Sequence, residues 1–324
     1  MRNPRWKPWL RSAALAAGAG LALWAVAAAS GYAGCIGWRA ELLANFPVCP
    51  FLAAALATWL LVRFAGWRLA VAGGAAFVAV GIFTLLPKPG LEQGSGGPNA
   101  LKIATWNTYI GRLDPAKAVA WIDANKPDVI AFTEMTNALH ASLQPALAAR
   151  YPYYAGNLRD GPGGLAVFSR APVSHWDRPK KSAYATFDLA WPGGGSCRVF
   201  LVHPSVPTGG AAYGRRGEAF RQLGALTARE AEPVIVLGDF NATWASVDFR
   251  TFCREGGLAP ATGFRPSWHS ALPEGLRIPI DHVLARPRDF TVISTAGGEP
   301  GAGSDHLPVL AELSPRPKRL SASR

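Results

Sequence analysis

Long apolar runs fill the first quarter of the chain, and short apolar runs that stop abruptly on single polar residues fill the rest. Residues 12–34 carry no charge over about the length needed to cross a hydrocarbon core of ~30 Å. Residues 46–62 form a shorter run, which Arg63 extends to about 66 if its stem snorkels to the interface. Residues 69–87 are again uncharged. The pattern predicts three transmembrane helices, about 12–34, 46–66 and 69–87, in a membrane region spanning 1–87. A cleaved signal peptide is the other reading of the first run, whose leading residues are basic. A buried helical hairpin is the other reading of the second and third.

Charge orients these spans. Arg2, Arg5, Lys7, Arg11, Arg63 and Arg68 fall on one side, and Arg39 and Lys88 on the other. By the positive-inside rule the N-terminus is cytoplasmic, and the chain after residue 88 lies outside, in the periplasm of a cell with an inner membrane. Residues 88–100 are rich in Gly and Pro and read as a linker, and 315–324 as a basic tail.

Beyond the linker the period changes. Residues 101–107, 128–134, 164–170, 185–191, 197–203, 233–241, 277–285, 289–295 and 307–313 are strand-like. Residues 116–125, 137–150, 213–230 and 247–257 show helical spacing. Asp114-Pro115 supplies an N-cap and a first-turn proline for the first helix, and Pro145 is expected to disturb the second. Strands interspersed with helices predict an α/β sandwich over 101–314, with two packed sheets inside and helices outside. No P-loop or dinucleotide-binding glycine motif occurs.

Composition changes this picture only locally. The chain is 49% hydrophobic and 17% charged, and the apolar excess sits before residue 87. Of the formal net charge of +12, residues 1–98 contribute +6 (eight Lys/Arg, two acids) and the remainder +6 (25 Lys/Arg, 19 acids). A mildly basic domain suits an anionic substrate or surface without identifying nucleic acid. Four cysteines without a C-x-x-C pair argue against a zinc ribbon. Cys35 and Cys49 share one predicted outer loop, where either a disulfide or two unpaired thiols fit, and pairing of Cys197 with Cys253 stays open.

Candidate chemistry lies where the strands stop. Successive apolar runs end on Asn107, Glu134, His203, Asp239 with Asn241, and Asp281, and Ser304-Asp305-His306 precedes the last run. One such residue is more often a cap or turn. A buried carboxylate costs free energy unless paired or metal-bound, so six in one domain point to one convergent site. Glu134 and Asp305 are hard oxygen ligands suited to Mg²⁺ or Mn²⁺. Asp239 can orient or deprotonate a water, and His306, its tautomer held by Asp281, can donate to a phosphoryl oxygen. Asn107 and Asn241 are neutral donors for phosphate oxygens. The set describes metal-assisted attack of water on a phosphate ester.

The motifs WN, TE, GDFN and SDH, in this order, resemble the endonuclease/exonuclease/phosphatase superfamily with its deoxyribonuclease I-like fold, over about residues 101–314. Three preceding spans with RIPIDHVLA and SDHLPV look like its bacterial membrane-anchored, YafD-like branch. The resemblance implies a four-layer α/β sandwich and a divalent metal. It implies metal-region roles for Asn107, Glu134 and Asp305, and catalytic or phosphate-contacting roles for His203, Asp239, Asn241, Asp281 and His306. Thr108-Tyr109 after Asn107 and Met135 after Glu134 depart from the abasic-site repair enzymes and weaken a DNA-repair function. His282 has no derivable role.

The expected activity is that of a membrane-anchored, Mg²⁺- or Mn²⁺-dependent phosphodiesterase acting outside the cytoplasm on nucleic acid or phospholipid. A nuclease would line a groove with Arg112, Arg159, Arg215, Arg216 and Arg221, and a lipid hydrolase would expose Trp191, Trp244 or Trp268. A catalytically silent envelope binding module is the alternative. No protein partner is implied.

Overall fold

The computed structural model describes residues 8–65, 67–86 and 88–316. Contacts divide the chain into a helical unit, which takes in the residues before 88 together with Thr208–Gly210 and Trp244–Val247, and an α/β unit built from the rest. Arg2, Arg5 and Lys7 of the charge argument, and the tail beyond 316, lie outside the described residues.

The helical unit consists of α1 (Pro8–Ala29), α2 (Trp38–Ala44), α3 (Val48–Ala65) and α4 (Trp67–Leu85). Its core is made of small residues, with Ala25, Ala53, Ala54 and Val80 buried together. Gly73 of α4 has no room for a side chain, because a Cβ there would lie 2.7 Å from the Thr58 Cα of α3. Close approach through small residues is how helices pack where apolar burial gives no preference. Large apolar side chains point outward instead, among them Leu23, Trp59 and Val78. Among the described residues, α1 alone is long and apolar enough to cross a membrane; α2 and the segment Val48–Phe64 form a pair bent by 102°, and Val71–Thr84 is a shorter apolar helix. The expectation of three spans is therefore met by one full-length candidate. It ends at Ala29, five residues before the expected 34, because residues 33–35 form a separate 3-10 turn. All four cysteines are free, so neither candidate disulfide forms.

In the α/β unit, β1 (Leu101–Asn107), α5 (Pro115–Asn125), β2 (Val129–Thr133), α6 (Asn137–Leu147), β3 (Tyr153–Asn157) and β4 (Leu165–Ser169) form the first half. The second half is β5 (Val173–Asp177), β6 (Tyr184–Ala190), β7 (Ser196–Val202), α7 (Gly210–Arg229), β8 (Val234–Asp239), α8 (Val247–Gly256), β9 (Ala259–Pro260), β10 (Asp281–Ala285), β11 (Phe290–Gly297) and β12 (Val309–Pro315). One six-stranded sheet runs β11-β12-β1-β2-β4-β3 and the other β5-β6-β7-β8-β10-β9. Each has one parallel pair, β1 with β2 and β7 with β8, and the crossovers contain α5 and α7. The remaining pairs are antiparallel.

Alternation along the central strands builds the layers. Ile103, Val129, Val167, Phe187, Leu201, Leu237 and Val283 point into the core between the sheets. Their neighbours Ala104, Ile130 and Phe168 face outward and pack under Ile122 of α5 and Leu139, Leu143 and Leu147 of α6. On the outer face of the second sheet, Phe220 of α7 and Phe249 and Phe252 of α8 gather around Phe240. The result is helix, sheet, sheet, helix, as the resemblance implies. Asp114 caps α5, accepting from Ala116 N at 2.9 Å and Lys117 N at 3.3 Å. Pro145 does not break α6; it sits in the last turn, where little helix remains to disturb.

This topology places the polar residues. The C-terminal ends of the parallel strands β1, β2, β7 and β8 deliver Asn107, Glu134, His203 and Asp239. The antiparallel neighbours β10 and β12 begin at that same edge and deliver Asp281 and the Asp305-His306 loop. Asp281 stands directly opposite Asp239 in the β8–β10 register. Ligands of α/β sheets bind outside the carboxyl ends of the strands.

Candidate active site

Gly238 shows why β8 ends as it does. Its φ is +138°, and a Cβ would collide with the Val202 carbonyl oxygen of β7. Glycine alone lets the two strands close up just before Asp239. After it the chain enters the left-handed region at Asn241, with φ +49°. Glu134 does the same one residue past β2, with φ +58°. Non-glycine residues rarely occupy this region, and they cluster at functional sites.

Asn107 is the hub. Its Oδ1 accepts from Tyr109 N at 2.9 Å, which fixes the amide orientation because a backbone N–H can only donate. Its Nδ2 therefore faces carboxylates, donating to Asp239 Oδ2 at 2.9 Å and Glu134 Oε1 at 3.3 Å. Ile110 N donates to the other Glu134 oxygen at 2.7 Å. Asp239 Oδ1 accepts from Asn241 N at 2.8 Å, while Asn241 Nδ2 turns to the Pro204 carbonyl at 3.1 Å. In this arrangement Asn241 holds Asp239 through its backbone and aims its amide away along the 203–204 loop.

Both histidines have a fixed tautomer. His203 Nδ1 donates to the Pro162 carbonyl at 2.9 Å, so Nε2 faces Glu134 Oε1 and Asp239 Oδ2, each at 3.6 Å. His306 Nδ1 donates to Asp281 Oδ2 at 2.7 Å, so Nε2 faces Asp239 Oδ2 at 3.7 Å and Asp305 Oδ1 at 3.9 Å. Burial opposes charge on His306, but Asp281, Asp239 and Asp305 outweigh it and lift its pKa to about 10. Burial, reinforced by Asp281, pushes the Asp239 carboxyl up, against the pull of both histidines. The loop carrying His306 is tied down: Ser304 Oγ donates to the Asn107 carbonyl at 2.7 Å, and Trp106 Nε1 donates to the His306 carbonyl at 3.0 Å.

All eight residues singled out in the sequence thus lie at one edge of the two sheets, linked by these contacts. Three contributors carried no motif. Trp268 Nε1 donates to Asp305 Oδ2 at 3.1 Å, which puts this tryptophan, one of the exposed-aromatic candidates, in the wall of the site. Ser267 Oγ accepts from Asp281 N at 3.2 Å. Arg216 is fully buried and donates from Nη1 to the Asn241 carbonyl at 2.7 Å, with its guanidinium 5.2 Å from the Tyr213 ring centroid. Arg216 therefore lines no groove, and Arg221 pairs with Glu218. Trp191 belongs to the core between the sheets. His282, without an assignable role in sequence, is a packing residue; its Nε2 bonds the Ala242 carbonyl at 3.1 Å, and its ring lies among Phe240, Phe249 and Phe264.

The donor set suits a hard divalent cation. Four carboxylates, Glu134, Asp239, Asp281 and Asp305, face two imidazoles, and protonating both imidazoles would still leave a negative excess. Asp281 Oδ1 and Asp305 Oδ1 are buried and receive no hydrogen bond. Ligand atoms of Asp239, Asp281 and His306 lie within 4.8 Å of one another. Buried negative charge of this kind can be balanced by a bound cation.

Comparison with known proteins agrees with this geometry. Residues 104–306 match the Endonuclease/Exonuclease/phosphatase family. No curated protein matches the sequence. Among solved structures, an endonuclease/exonuclease/phosphatase from Beutenbergia cavernae DSM 12333 is 21% identical over 69% of this chain and 74% of its own, with a TM-score of 0.56. The human Nocturnin catalytic domain with bound sulfate is 17% identical over 68% of this chain and 97% of its own, with a TM-score of 0.52. A humanized D. rerio TDP2 is 15% identical over 67% of this chain and 99% of its own, also at 0.52. These likenesses show the shared fold. The family match spans well over half of the sequence and encloses every residue of the strand-end site; the chain belongs to the endonuclease/exonuclease/phosphatase family.

Proposed function

We propose that the protein is a membrane-anchored, Mg²⁺- or Mn²⁺-dependent phosphodiesterase whose α/β unit works outside the cytoplasm. The observation that carries the reading is the meeting of Asn107, four carboxylates and two histidines from six strand ends in one cluster. Glu134 and Asp305 would hold the metal, and Asn107 would enter the metal region by orienting Glu134 and Asp239. When bound, the cation stabilises negative charge developing on the phosphoryl oxygens.

The chain's own groups account for the rest. Asp239 is held from both sides, by Asn107 Nδ2 and Asn241 N. Burial raises its proton affinity, which suits a base that orients a water and takes its proton. The water oxygen then bonds to phosphorus as one ester P–O bond breaks. The carboxylates around His306 favour its charged form, and it donates from Nε2 to a phosphoryl oxygen, with Asp281 fixing the ring. His203, held by Pro162 through Nδ1, turns Nε2 toward Glu134 and Asp239 at the reacting centre. Asn241 contacts the phosphate by turning its amide from Pro204. Assays with Mg²⁺ and Mn²⁺ against plasmid DNA, RNA, a phospholipid panel and bis-p-nitrophenyl phosphate test this. Turnover should require metal and be lost in Asp239→Ala and His306→Ala; background rates on every substrate would contradict it.

The membrane part of the proposal places α1, α3 and α4 as three spans in an inner membrane, in the manner of the membrane-anchored branch. It rests on their outward apolar side chains and on the sign of the flanking charges. Cys35, which is exposed, then lies outside. A membrane-impermeant maleimide should label it in intact cells with a permeabilised outer envelope. Labelling only after lysis would reverse the orientation.

A further inference from the structure

Residues 267–270 form a bracket between the approach to β10 and the loop that carries Asp305 and His306. Trp268 bridges to Ile278 on one side and to His306 on the other, both in antiparallel sense. The backbone of the bracket is paired both ways: Trp268 N donates to the Ile278 carbonyl at 3.0 Å, and Leu307 N donates to the Ser267 carbonyl at 2.9 Å. Its serines reach the same two targets. Ser267 Oγ, fully buried, accepts from Ile280 N at 3.3 Å and Asp281 N at 3.2 Å. Ser270 Oγ donates to the Ser304 carbonyl at 2.9 Å, and Ser270 N to the Asp305 carbonyl at 2.8 Å. The backbones of Asp281 and Asp305 are therefore fixed to one short piece of chain. These bonds leave the rotation of the Asp305 carboxylate free.

The Trp268 indole supplies the missing restraint. The side chain is half-buried, and its Nε1 donates to Asp305 Oδ2 at 3.1 Å. An indole N–H can only donate, so the bond has one sense. The last torsion of an aspartate is broad and roughly two-fold, so its oxygens exchange places unless one is held. With Oδ2 held, Oδ1 lies buried without a hydrogen bond, 3.9 Å from His306 Nε2. The indole is also uncharged and does not titrate. A lysine or arginine in its place would hold the carboxylate as well, but would repel a divalent cation beside it. Glu134 is held on the same terms, by the uncharged donors Asn107 Nδ2 and Ile110 N. A carboxylate already oriented through one oxygen needs no reordering when an ion binds the other, which is how contacts behind a metal ligand raise affinity.

We propose that Trp268 is a positioning residue for the divalent cation: its N–H commits Asp305 Oδ2 and leaves Oδ1 for the ion. This rests on the reading of Asp305 as a metal ligand, and it is tested by binding rather than by turnover. Full-length protein in detergent is titrated with Mn²⁺, and the free hydrated ion is followed by electron paramagnetic resonance. Trp268→Phe keeps a ring in place and removes the N–H; its Kd for Mn²⁺ should rise about ten- to a hundredfold. The preference for Mn²⁺ over Ca²⁺, measured by competition, should fall with it, because Ca²⁺ tolerates irregular coordination. Trp268→Tyr, which also lacks the indole N–H, repeats the test, and circular dichroism checks that each variant is folded. Trp191→Phe is the control for losing an indole hydrogen bond as such. Trp191 belongs to the core between the sheets and donates from Nε1 to the Asn99 carbonyl at 2.7 Å, so its replacement should leave the Mn²⁺ Kd unchanged. An unchanged Kd in folded Trp268→Phe and Trp268→Tyr, equal losses for Mn²⁺ and Ca²⁺, or the same loss in Trp191→Phe would overturn the positioning role. Wild type that binds no Mn²⁺ would overturn it together with the metal reading. Mn²⁺ binding that depends on Trp268 without turnover of bis-p-nitrophenyl phosphate would support the positioning role and count against the phosphodiesterase reading alone.

Discussion

At the scale of the residue, the site depends on conformations that ordinary side chains resist. Gly238 is the clearest case, because its φ is positive and β7 occupies the space of a Cβ. Gly238→Ala combines backbone strain with overpacking, about 2–5 kcal/mol together, which a urea melt would read as a large fall in midpoint. His282 gives a pH signature. Burial depresses its pKa to about 4, whereas the unfolded chain returns it to about 6.5. Its contribution to stability is complete above pH 6.5 and drains away as pH falls toward 4, a loss of roughly 3 kcal/mol. His282→Gln should flatten that part of the stability–pH curve. An unchanged curve would mean the imidazole does not carry the acid sensitivity.

The carboxylates and histidines of the site were legible as residues because each stands at one end of an apolar run. Their mutual orientation was not. The left-handed turns at Glu134 and Asn241 leave no trace in hydropathy, and Arg216 looked like one more basic position in an amphipathic helix. Its burial follows from the Tyr213 and Phe220 rings that flank it, a tertiary arrangement. Replacing it with Met should lower activity by releasing the Asn241 carbonyl, and the loss should be smaller in an Asn241→Ala background. Equal losses in both backgrounds would show that Arg216 does not act through Asn241.

At the scale of the element, central strands announce themselves, whereas the edge strands β3 and β5 do not. β1, β2, β7 and β8 are continuous apolar runs because both faces are covered. β3 and β5 sit at sheet edges with mostly exposed or half-exposed residues, so Tyr153–Asn157 and Val173–Asp177 carry no comparable signal. Helix ends were readable where a cap exists, as at Asp114. Packing of α7 and α8 on the second sheet rests on the phenylalanine cluster. Phe220→Ala removes a fully buried ring from its centre and should cost about 3–5 kcal/mol, measured by denaturant unfolding. A change under about 1 kcal/mol would mean the cluster collapses around the gap.

At the scale of the whole molecule, the two units distribute their apolar side chains in opposite ways. The helical unit turns small residues inward and large apolar ones outward, whereas the α/β unit buries its large side chains. Of the three expected spans, the described residues show one as a full-length apolar helix, and the other two apolar runs fold into a bent pair and a shorter helix. The disulfide question was settled by place. Cys197 lies in the core between the sheets, Cys253 is buried in α8, and burial pushes both thiols up, beyond reach of ordinary oxidation. A thiol reagent should therefore modify Cys35 in the folded protein, and Cys197 and Cys253 only after unfolding. Rapid labelling of the latter pair would contradict the packing described.

The central claim is that residues from six strand ends form one hydrolytic unit. The most direct measurement is turnover of bis-p-nitrophenyl phosphate with Mn²⁺ by wild type, Asp239→Ala, His306→Ala and the double variant, each checked for folding by circular dichroism. Groups that act as a unit are strongly non-additive, so each single change should lower the rate by about 10²–10⁴, with the double variant little worse than either. Losses that multiply would contradict a single unit, and folded single variants that keep the wild-type rate would contradict the site itself.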